Sequence, residues 1–317
     1  MVTLVVLTDE TRPPDMVAVE DVVEVTYVTE DELPKALPGA EILFVWHFLS
    51  HAVPAAWPAV GAPRWVHVAS AGVERFLFPD LVTSDTVVTN SRGVFDEPMA
   101  EYVLGLVLAF AKDLAGTVRL QTAKRWQHRE TERVGGSRAL VVGTGPIGRA
   151  IARKLTAAGL VVGGIGRTGR DADPDLGRVR PMAELAGALA EADYVVLAAP
   201  ATDQTRGMLD AGALAAMKPT ARLINVGRGS LVVQEDLIAA LRAERIAGAA
   251  LDVFDDEPLP PGSPLWELPG VLVSPHMSGD VVGWRNELSA LFVDNFTRYR
   301  SGRPLRNVVD KQLGYVR

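Results

Sequence analysis

Three apolar runs in the second half of the chain end in side chains able to move a proton or hold an anion. "LINVGRGSLV" places Arg228 between two glycines, "AALDVFDDEPLP" delivers Asp252 and then Glu257 before a proline turn, and "VLVSPHMSGD" delivers His276 after a proline. An arginine, an acid and a histidine at one site are what a carbonyl reductase needs. The histidine gives a proton to oxygen as hydride arrives at carbon. The acid orients the imidazole and favours its protonated form, and the arginine polarises the carbonyl and pairs with a substrate carboxylate. Plainer readings stand beside these: a histidine after proline can cap a turn, and Asp252 can be a helix or turn cap.

Hydride needs a carrier, and the chain has a turn suited to one. In "ALVVGTGPIGRAIARKLTAAGL" the glycines Gly143, Gly145 and Gly148 follow a strand directly, and Pro146 and Ile147 open a helix with Ile147, Ile151 and Leu155 on one face. The first glycine permits the tight turn, the second lets backbone approach a pyrophosphate, and the third lets helix pack on strand. A second strand, "LVVGGIG", ends near Gly166, where an NAD site presents Asp or Glu to the ribose 2′-hydroxyl. This chain instead has Arg167, Thr168 and Arg170. Charge-assisted bonds from these arginines to a 2′-phosphate are worth ~1.5–3 kcal/mol each, so NADP is expected as the preferred cofactor, with NAD as the alternative. A solvated arginine loop is the bland reading.

The elements that must position these groups are legible as alternation. Short apolar runs ("TLVVLT", "EILFVWHF", "RWVHVAS", "ALVVG", "LVVGGIG", "YVVLAAP", "RLINVG", "GAALDVF", "VLVSPH") are separated by helical stretches. Runs buried on both faces with helices between them predict α/β architecture with parallel sheets. A long helix is predicted from "FDEPMAEYVLGLVLAFAKDLAGTVRLQ", with Asp96 as N-cap and apolar positions 99, 103, 106, 110, 114 and 118. A second helix, "GWRNELSALFVDNFTRYRSG", closes at Gly302 and Pro304. The expected division is a dinucleotide-binding Rossmann domain at 97–284, with residues 1–96 and 285–317 forming the other domain.

Composition narrows the classes. The net charge of −7 offers no broad basic surface for nucleic acid, and the absence of cysteine removes disulfides, thiol nucleophiles and thiolate metal sites. Five histidines without ligand spacing give no metal site, and His47, His51, His67 and His128 read as packing or surface residues. No apolar run approaches the ~18 residues of a membrane span. "MVTLVVLTDE" reads as a first buried strand and not as a leader, so a cytoplasmic protein is expected. Trp46 and Trp284 are equally compatible with a substrate wall and with core packing.

Taken together, "ASAGVERF", "TNSRGVFDEPMAEYVLGLVL", "VGTGPIGRAIARKL", "APATDQTRGML", "INVGRGSLV", "ALDVFDDEPLP" and "SPHMSG" resemble, in order and over nearly the whole chain, a D-isomer-specific 2-hydroxyacid dehydrogenase. The resemblance implies two Rossmann-like domains, the first flavodoxin-like and substrate-binding, with the active-site cleft between them. It implies that Arg228 binds substrate, that Glu257 pairs with His276, and that His276 donates the proton to a small 2-keto acid. Asp252 would contact the nicotinamide amide, and backbone at Ala71 and Gly72 would cradle the carboxylate. Pro200 and Thr205 would line the adenosine and pyrophosphate side, with Val226 and Gly279 also on the cofactor. A homodimer through the helix at 98–120 is implied too.

The "GRTGR" loop resembles the glyoxylate and hydroxypyruvate reductase branch. Formate dehydrogenases on this fold carry an amide where Glu257 stands. A non-catalytic corepressor-like nucleotide sensor is the alternative from another class. With the sequence ending at "NVVDKQLGYVR", the regulatory domain of an amino-acid-controlled phosphoglycerate dehydrogenase is not expected.

Overall fold

A computed structural model describes residues 2–9 and 11–316. Its contacts fall into two compact units, one up to Val94 together with the chain from Val281 onward, the other Phe95–Asp280. The junctions lie at 94/95 and 280/281, against 96/97 and 284/285 in the sequence reading.

The first unit is built on a five-stranded parallel sheet. Its strands are β1 (Thr3–Leu7), β2 (Glu24–Val28), β3 (Ile42–Val45), β4 (Trp65–Val68) and β5 (Val87–Asn90), in the order β2-β1-β3-β4-β5. This is the flavodoxin-like order, which puts a topological switch point between β1 and β3. The helix Trp284–Arg300 belongs to this unit because its aromatic side chains complete the core. Phe292 stacks on Phe44 at 4.0 Å and on Trp65 at 5.4 Å, and Tyr299 stacks on Trp65 at 5.3 Å. The helix ends at Arg300, with Gly302 following at φ +66°.

The second unit carries an eight-stranded sheet of β6 (Arg138–Val142), β7 (Val161–Gly166), β8 (Arg170–Asp173), β9 (Gly177–Pro181), β10 (Tyr194–Leu197), β11 (Arg222–Asn225), β12 (Gly248–Leu251) and β13 (Val271–Val273). The order β13-β12-β11-β10-β6-β7-β9-β8 contains the doubly wound 3-2-1-4-5-6 arrangement, extended at both edges. All pairs are parallel except β8 with β9, an antiparallel edge hairpin, so this sheet is mostly and not wholly parallel.

The long helix departs from expectation. It runs Asp96–Ala111 with Phe95 at the N-cap, so Asp96 is its first residue and not its cap. Its buried face is Ala100, Val103, Val107 and Ala111: Val103 lies on the predicted stripe, while Met99, Leu106 and Phe110 flank the buried positions and are partly buried against the same core. At Asp113 the backbone turns left-handed (φ +45°), and the carboxylate accepts from Gly116 N–H to start a separate helix, Leu114–Thr122. Leu114 and Val118, the last two positions of the predicted apolar stripe, lie on this second helix and are exposed. Among the described residues no helix is long and apolar enough to cross a membrane.

His67 on β4 is fully buried among Phe44, Trp65 and Phe292. Its Nδ1 pairs with the Thr89 hydroxyl at 2.8 Å, while its Nε2 is buried with no hydrogen-bond partner. Burial drives its pKa down to about 3. An unfolded histidine titrates near ~6.5, so above that pH neither state is protonated and its titration contributes nothing to stability. Below it, the unfolded chain takes a proton that the folded chain refuses. This residue alone is therefore expected to lower the unfolding free energy by about 1.4 kcal/mol per pH unit, until pH reaches about 3. Denaturant titrations of wild type and His67→Phe between pH 7 and 4 should differ in slope by close to one proton. Parallel slopes would show that His67 titrates normally.

Candidate active site

The glycine turn after β6 has the shape its spacing predicts. Gly143 has φ +115°, and a methyl placed on it would lie 2.6 Å from the Ala198 backbone. A methyl on Gly148 would lie 2.0 Å from the Gly143 carbonyl oxygen, so only glycine lets the helix Pro146–Ala157 sit this close to the strand. Around Gly145, by contrast, a methyl would meet nothing within 4 Å. Gly145 is the N-cap and supplies no side-chain cap, with Pro146 and Ile147 opening the helix, so the N–H groups of its first turn take no side-chain acceptor from the cap residue. Two glycines are needed for packing and the third leaves room, which is the division of labour a bound diphosphate requires.

The end of β7 lies against this turn: a methyl on Gly166 would touch the Thr144 side chain at 3.0–3.1 Å. Arg167 and Thr168 follow it, exposed. Arg170 opens β8, and its guanidinium is engaged by Asp173, from Nε at 3.1 Å and Nη2 at 3.0 Å. Beyond β10, the Thr205 hydroxyl donates to the Pro200 carbonyl at 2.7 Å and accepts from Thr202 N–H at 2.8 Å, closing that loop on itself. Val226, just past β11, is buried.

The chemistry-bearing residues come together through backbone contact. A methyl on Gly229 would lie 2.0 Å from the Phe254 carbonyl carbon, so the turn holding Arg228 is pressed against the loop after β12. In that loop Glu257 Oε1 accepts from Phe254 N–H at 2.9 Å, and Oε2 lies 2.8 Å from His276 Nδ1. A carboxylate only accepts, so Nδ1 carries the proton in this pair and Nε2 is the nitrogen left to exchange one. The imidazole is 42% exposed, open enough to meet a ligand. Arg228 donates from Nη1 to the Gly227 carbonyl at 2.7 Å, and its own carbonyl accepts from the Asn225 amide at 2.9 Å.

His276 has φ +52°, a left-handed conformation that costs a non-glycine residue about 1–3 kcal/mol. Asp252, buried at 1% exposure, offsets that cost. Its Oδ1 accepts from the Ser274 hydroxyl at 2.7 Å and Met277 N–H at 2.9 Å, its Oδ2 from Ser278 N–H at 2.9 Å, and its carbonyl from His276 N–H at 2.8 Å. The turn-capping reading of Asp252 is thus realised, in the service of the histidine. Sequence reasoning missed Ser274, whose only signal was its place one residue before the proline. Gly279 closes the loop on Phe95, where a methyl would lie 2.7 Å from the ring.

In the first unit, Ala71 and Gly72 lie in the loop after β4. Their carbonyl oxygens accept from the Asn90 amide (2.5 Å) and the Ser70 hydroxyl (2.6 Å). Neither backbone N–H donates within the protein among the described residues. Trp46 is buried and edge-on to Phe44 at 5.8 Å, which makes it a core aromatic. Trp284 is half-buried, edge-on to Phe48 at 6.2 Å with Arg285 over its ring. His47 and His51 stand in the segment after β3, His47 beside Glu30 at 3.7 Å, and His128 is exposed.

A doubly wound sheet turning through these three glycines places the chain among the dinucleotide-binding α/β proteins. The sequence profile of the D-isomer specific 2-hydroxyacid dehydrogenase NAD binding domain matches residues 104–278, more than half the chain. The chain belongs to the D-isomer specific 2-hydroxyacid dehydrogenase family. It is 32% identical over 269 residues to a glyoxylate reductase of Thermococcus gammatolerans, a match spanning 81% of this chain and 79% of that protein. A family member from Xanthobacter autotrophicus, solved in complex with NADPH and MES, superposes with TM-score 0.83 at 32% identity, covering 99% of each chain. An NADPH-dependent glyoxylate/hydroxypyruvate reductase from Sinorhizobium meliloti, in complex with NADP and sulfate, superposes with TM-score 0.84 at 26% identity, over 99% of this chain and 100% of that one.

The contact at Gly229 is testable by itself. Gly229→Ala forces the Arg228 turn away from the Phe254 backbone and is expected to cost about 1–3 kcal/mol by overpacking, read from urea unfolding. A loss under about 0.5 kcal/mol, the range of an inconsequential surface change, would show that the two loops are not pressed together.

Proposed function

We propose that this chain reduces a small 2-keto acid to the D-2-hydroxy acid with NADPH in preference to NADH, and that glyoxylate and hydroxypyruvate are the first substrates to try. The observation that carries the reading is the 2.8 Å pair of Glu257 with His276 Nδ1, on a loop whose backbone is held by Asp252. A non-catalytic nucleotide sensor has no use for an oriented imidazole with Nε2 left to exchange a proton, and an acid at Glu257 is the wrong partner for formate oxidation.

When bound, reduced nicotinamide supplies the hydride. The protein's part is positional and acid–base. Arg228 pairs with the substrate carboxylate and draws electron density from the carbonyl. His276 passes its Nε2 proton to the carbonyl oxygen as the carbon is reduced, so the product is a neutral alcohol on an unchanged carboxylate. Glu257, accepting from Nδ1–H, keeps the imidazole in that orientation with Nε2 free to face the substrate. The diphosphate is assigned to the turn of Gly143, Gly145, Pro146, Ile147 and Gly148, and the 2′-phosphate to Arg167, Thr168 and Arg170. Pro200, Thr205, Val226 and Gly279 are assigned to the remaining cofactor surface. Asp252 Oδ2 accepts one hydrogen bond among the described residues, which leaves it a position for the nicotinamide amide. Ala71 and Gly72 are assigned to the carboxylate on the resemblance and on their uncommitted N–H groups.

We further propose a cytoplasmic homodimer. Leu114 and Val118 are exposed apolar side chains on the segment that the resemblance gives to dimer contact, and reduced nicotinamide is regenerated inside cells.

A panel of 2-keto acids assayed with NADPH and NADH in parallel tests the activity, and no cofactor oxidation with any of them would overturn it. Glu257→Gln is expected to lower kcat about 10²-fold while the KM for the keto acid moves far less. An unchanged kcat would remove Glu257 from the chemistry. Arg167→Asp should raise the KM for NADPH much more than that for NADH, whereas equal changes would refute the phosphate contact.

A further inference from the structure

Asp173, at the end of β8, is a carboxylate only 2% exposed. Two guanidiniums reach it. Arg149, from the helix that follows the glycine turn, binds it end-on: Nη1 to Oδ1 and Nη2 to Oδ2, both at 2.8 Å. Arg170 binds it side-on, from Nε at 3.1 Å and Nη2 at 3.0 Å. The Asp175 and Leu176 N–H groups complete the shell at 3.1 and 3.2 Å. Burial alone would raise this carboxyl's pKa, but the Arg149 bonds and the two N–H donors hold it below the usual range, so the charge persists.

A guanidinium has two forked edges. Asp173 occupies the Nε/Nη2 edge of Arg170, and the Nη1/Nη2 edge is left to a second anion. Arg170 pairs in register with Val179, which pairs with Gly164 of β7, so this second edge stands two strands from the end of the strand that faces the glycine turn. Arg149 ties the same carboxylate to the turn's own helix. We propose that Asp173 is a positioning residue for cofactor selection: it fixes Arg170 so that its outer edge meets the 2′-phosphate of NADP, in register with the glycine turn. This rests on the NADP reading above and adds the residue that aims the arginine.

Calorimetric titration of the wild-type protein with adenosine 2′,5′-bisphosphate and with 5′-AMP reads the phosphate contact without catalysis. Asp173→Asn is expected to weaken the bisphosphate about 10-fold and to leave 5′-AMP within about twofold. Arg170→Lys keeps Asp173 paired with Arg149 and retains the charge but loses the second fork. It should show the same selective loss, which covers the case in which Asp173→Asn does not fold. Loss of both ligands alike in Asp173→Asn, or undiminished bisphosphate binding in either variant, overturns the inference while leaving the NADP reading standing. A wild-type protein that binds both ligands equally removes the NADP reading and this inference with it.

Discussion

The carboxylate of Asp252 is the joint from which the loop carrying His276 hangs. It is buried at the end of β12, and three donors from residues 274–278 converge on its two oxygens. The cost of burying an anion is met here by hydrogen bonds that do a second job. They hold a histidine in a left-handed conformation that its own Cβ opposes. Once that backbone is set, the imidazole has one short bond, to Glu257, and Glu257 in turn is anchored to the Phe254 N–H. Orientation therefore passes from the strand end through Asp252 to the backbone, and through Glu257 to the ring.

Glycines set the remaining distances, by absence of atoms. Gly229 against Phe254, Gly143 against Ala198, Gly148 against Gly143 and Gly279 against Phe95 are contacts at which a single methyl would lie under 3 Å from its neighbour. Gly229 and Gly143 each join loops that follow different strands of the second sheet, Gly148 seats the helix Pro146–Ala157 on its own turn, and Gly279 seats the loop after β13 on the start of the helix Asp96–Ala111. Packing of this density is stiff, and small displacements are costly. That stiffness suits a hydride transfer, in which reacting atoms must be held within a few tenths of an ångström.

Much of this was legible in the sequence, and the failures have a common cause. The glycine turn, Arg228 and Glu257 could be read because they follow strands β6, β11 and β12, which are almost wholly buried, and His276 because the edge strand β13 is still an unbroken apolar run, and such runs announce themselves. Strands β2, β5, β8 and β9 were not read. Sequences such as "RDAD" and "GRVRP" lie at or next to a sheet edge, where water takes one face and apolar continuity is not required. The helix break at Asp113 was hidden because apolar residues at 114 and 118 continue the period of the preceding helix. The left-handed residue that stops it is an aspartate, unmarked by glycine or proline. Hydrogen bonds across the fold, such as Ser274 to Asp252, have no periodic signature at all.

The edge hairpin shows what is missed when polar strands are passed over. Read as sequence, "GRTGRDADPDLGRVR" offers Arg167, Thr168 and Arg170 to a 2′-phosphate, and the acids that follow them carry no signal of what they do. In the fold, Asp173 and Asp175 are turned toward Arg149, and Arg153 lies 3.6 Å from Asp175. Asp173 is buried to 2% and Asp175 to 21%, so most of their field is spent on cations already present. With those two acids paired, the exposed charges of this stretch are Arg167, Arg170, Arg178 and one carboxylate, Asp171, so cations outnumber anions where a phosphate would arrive. Which charge a ligand meets depends less on the count of acids and bases in a stretch than on which of them the backbone has buried.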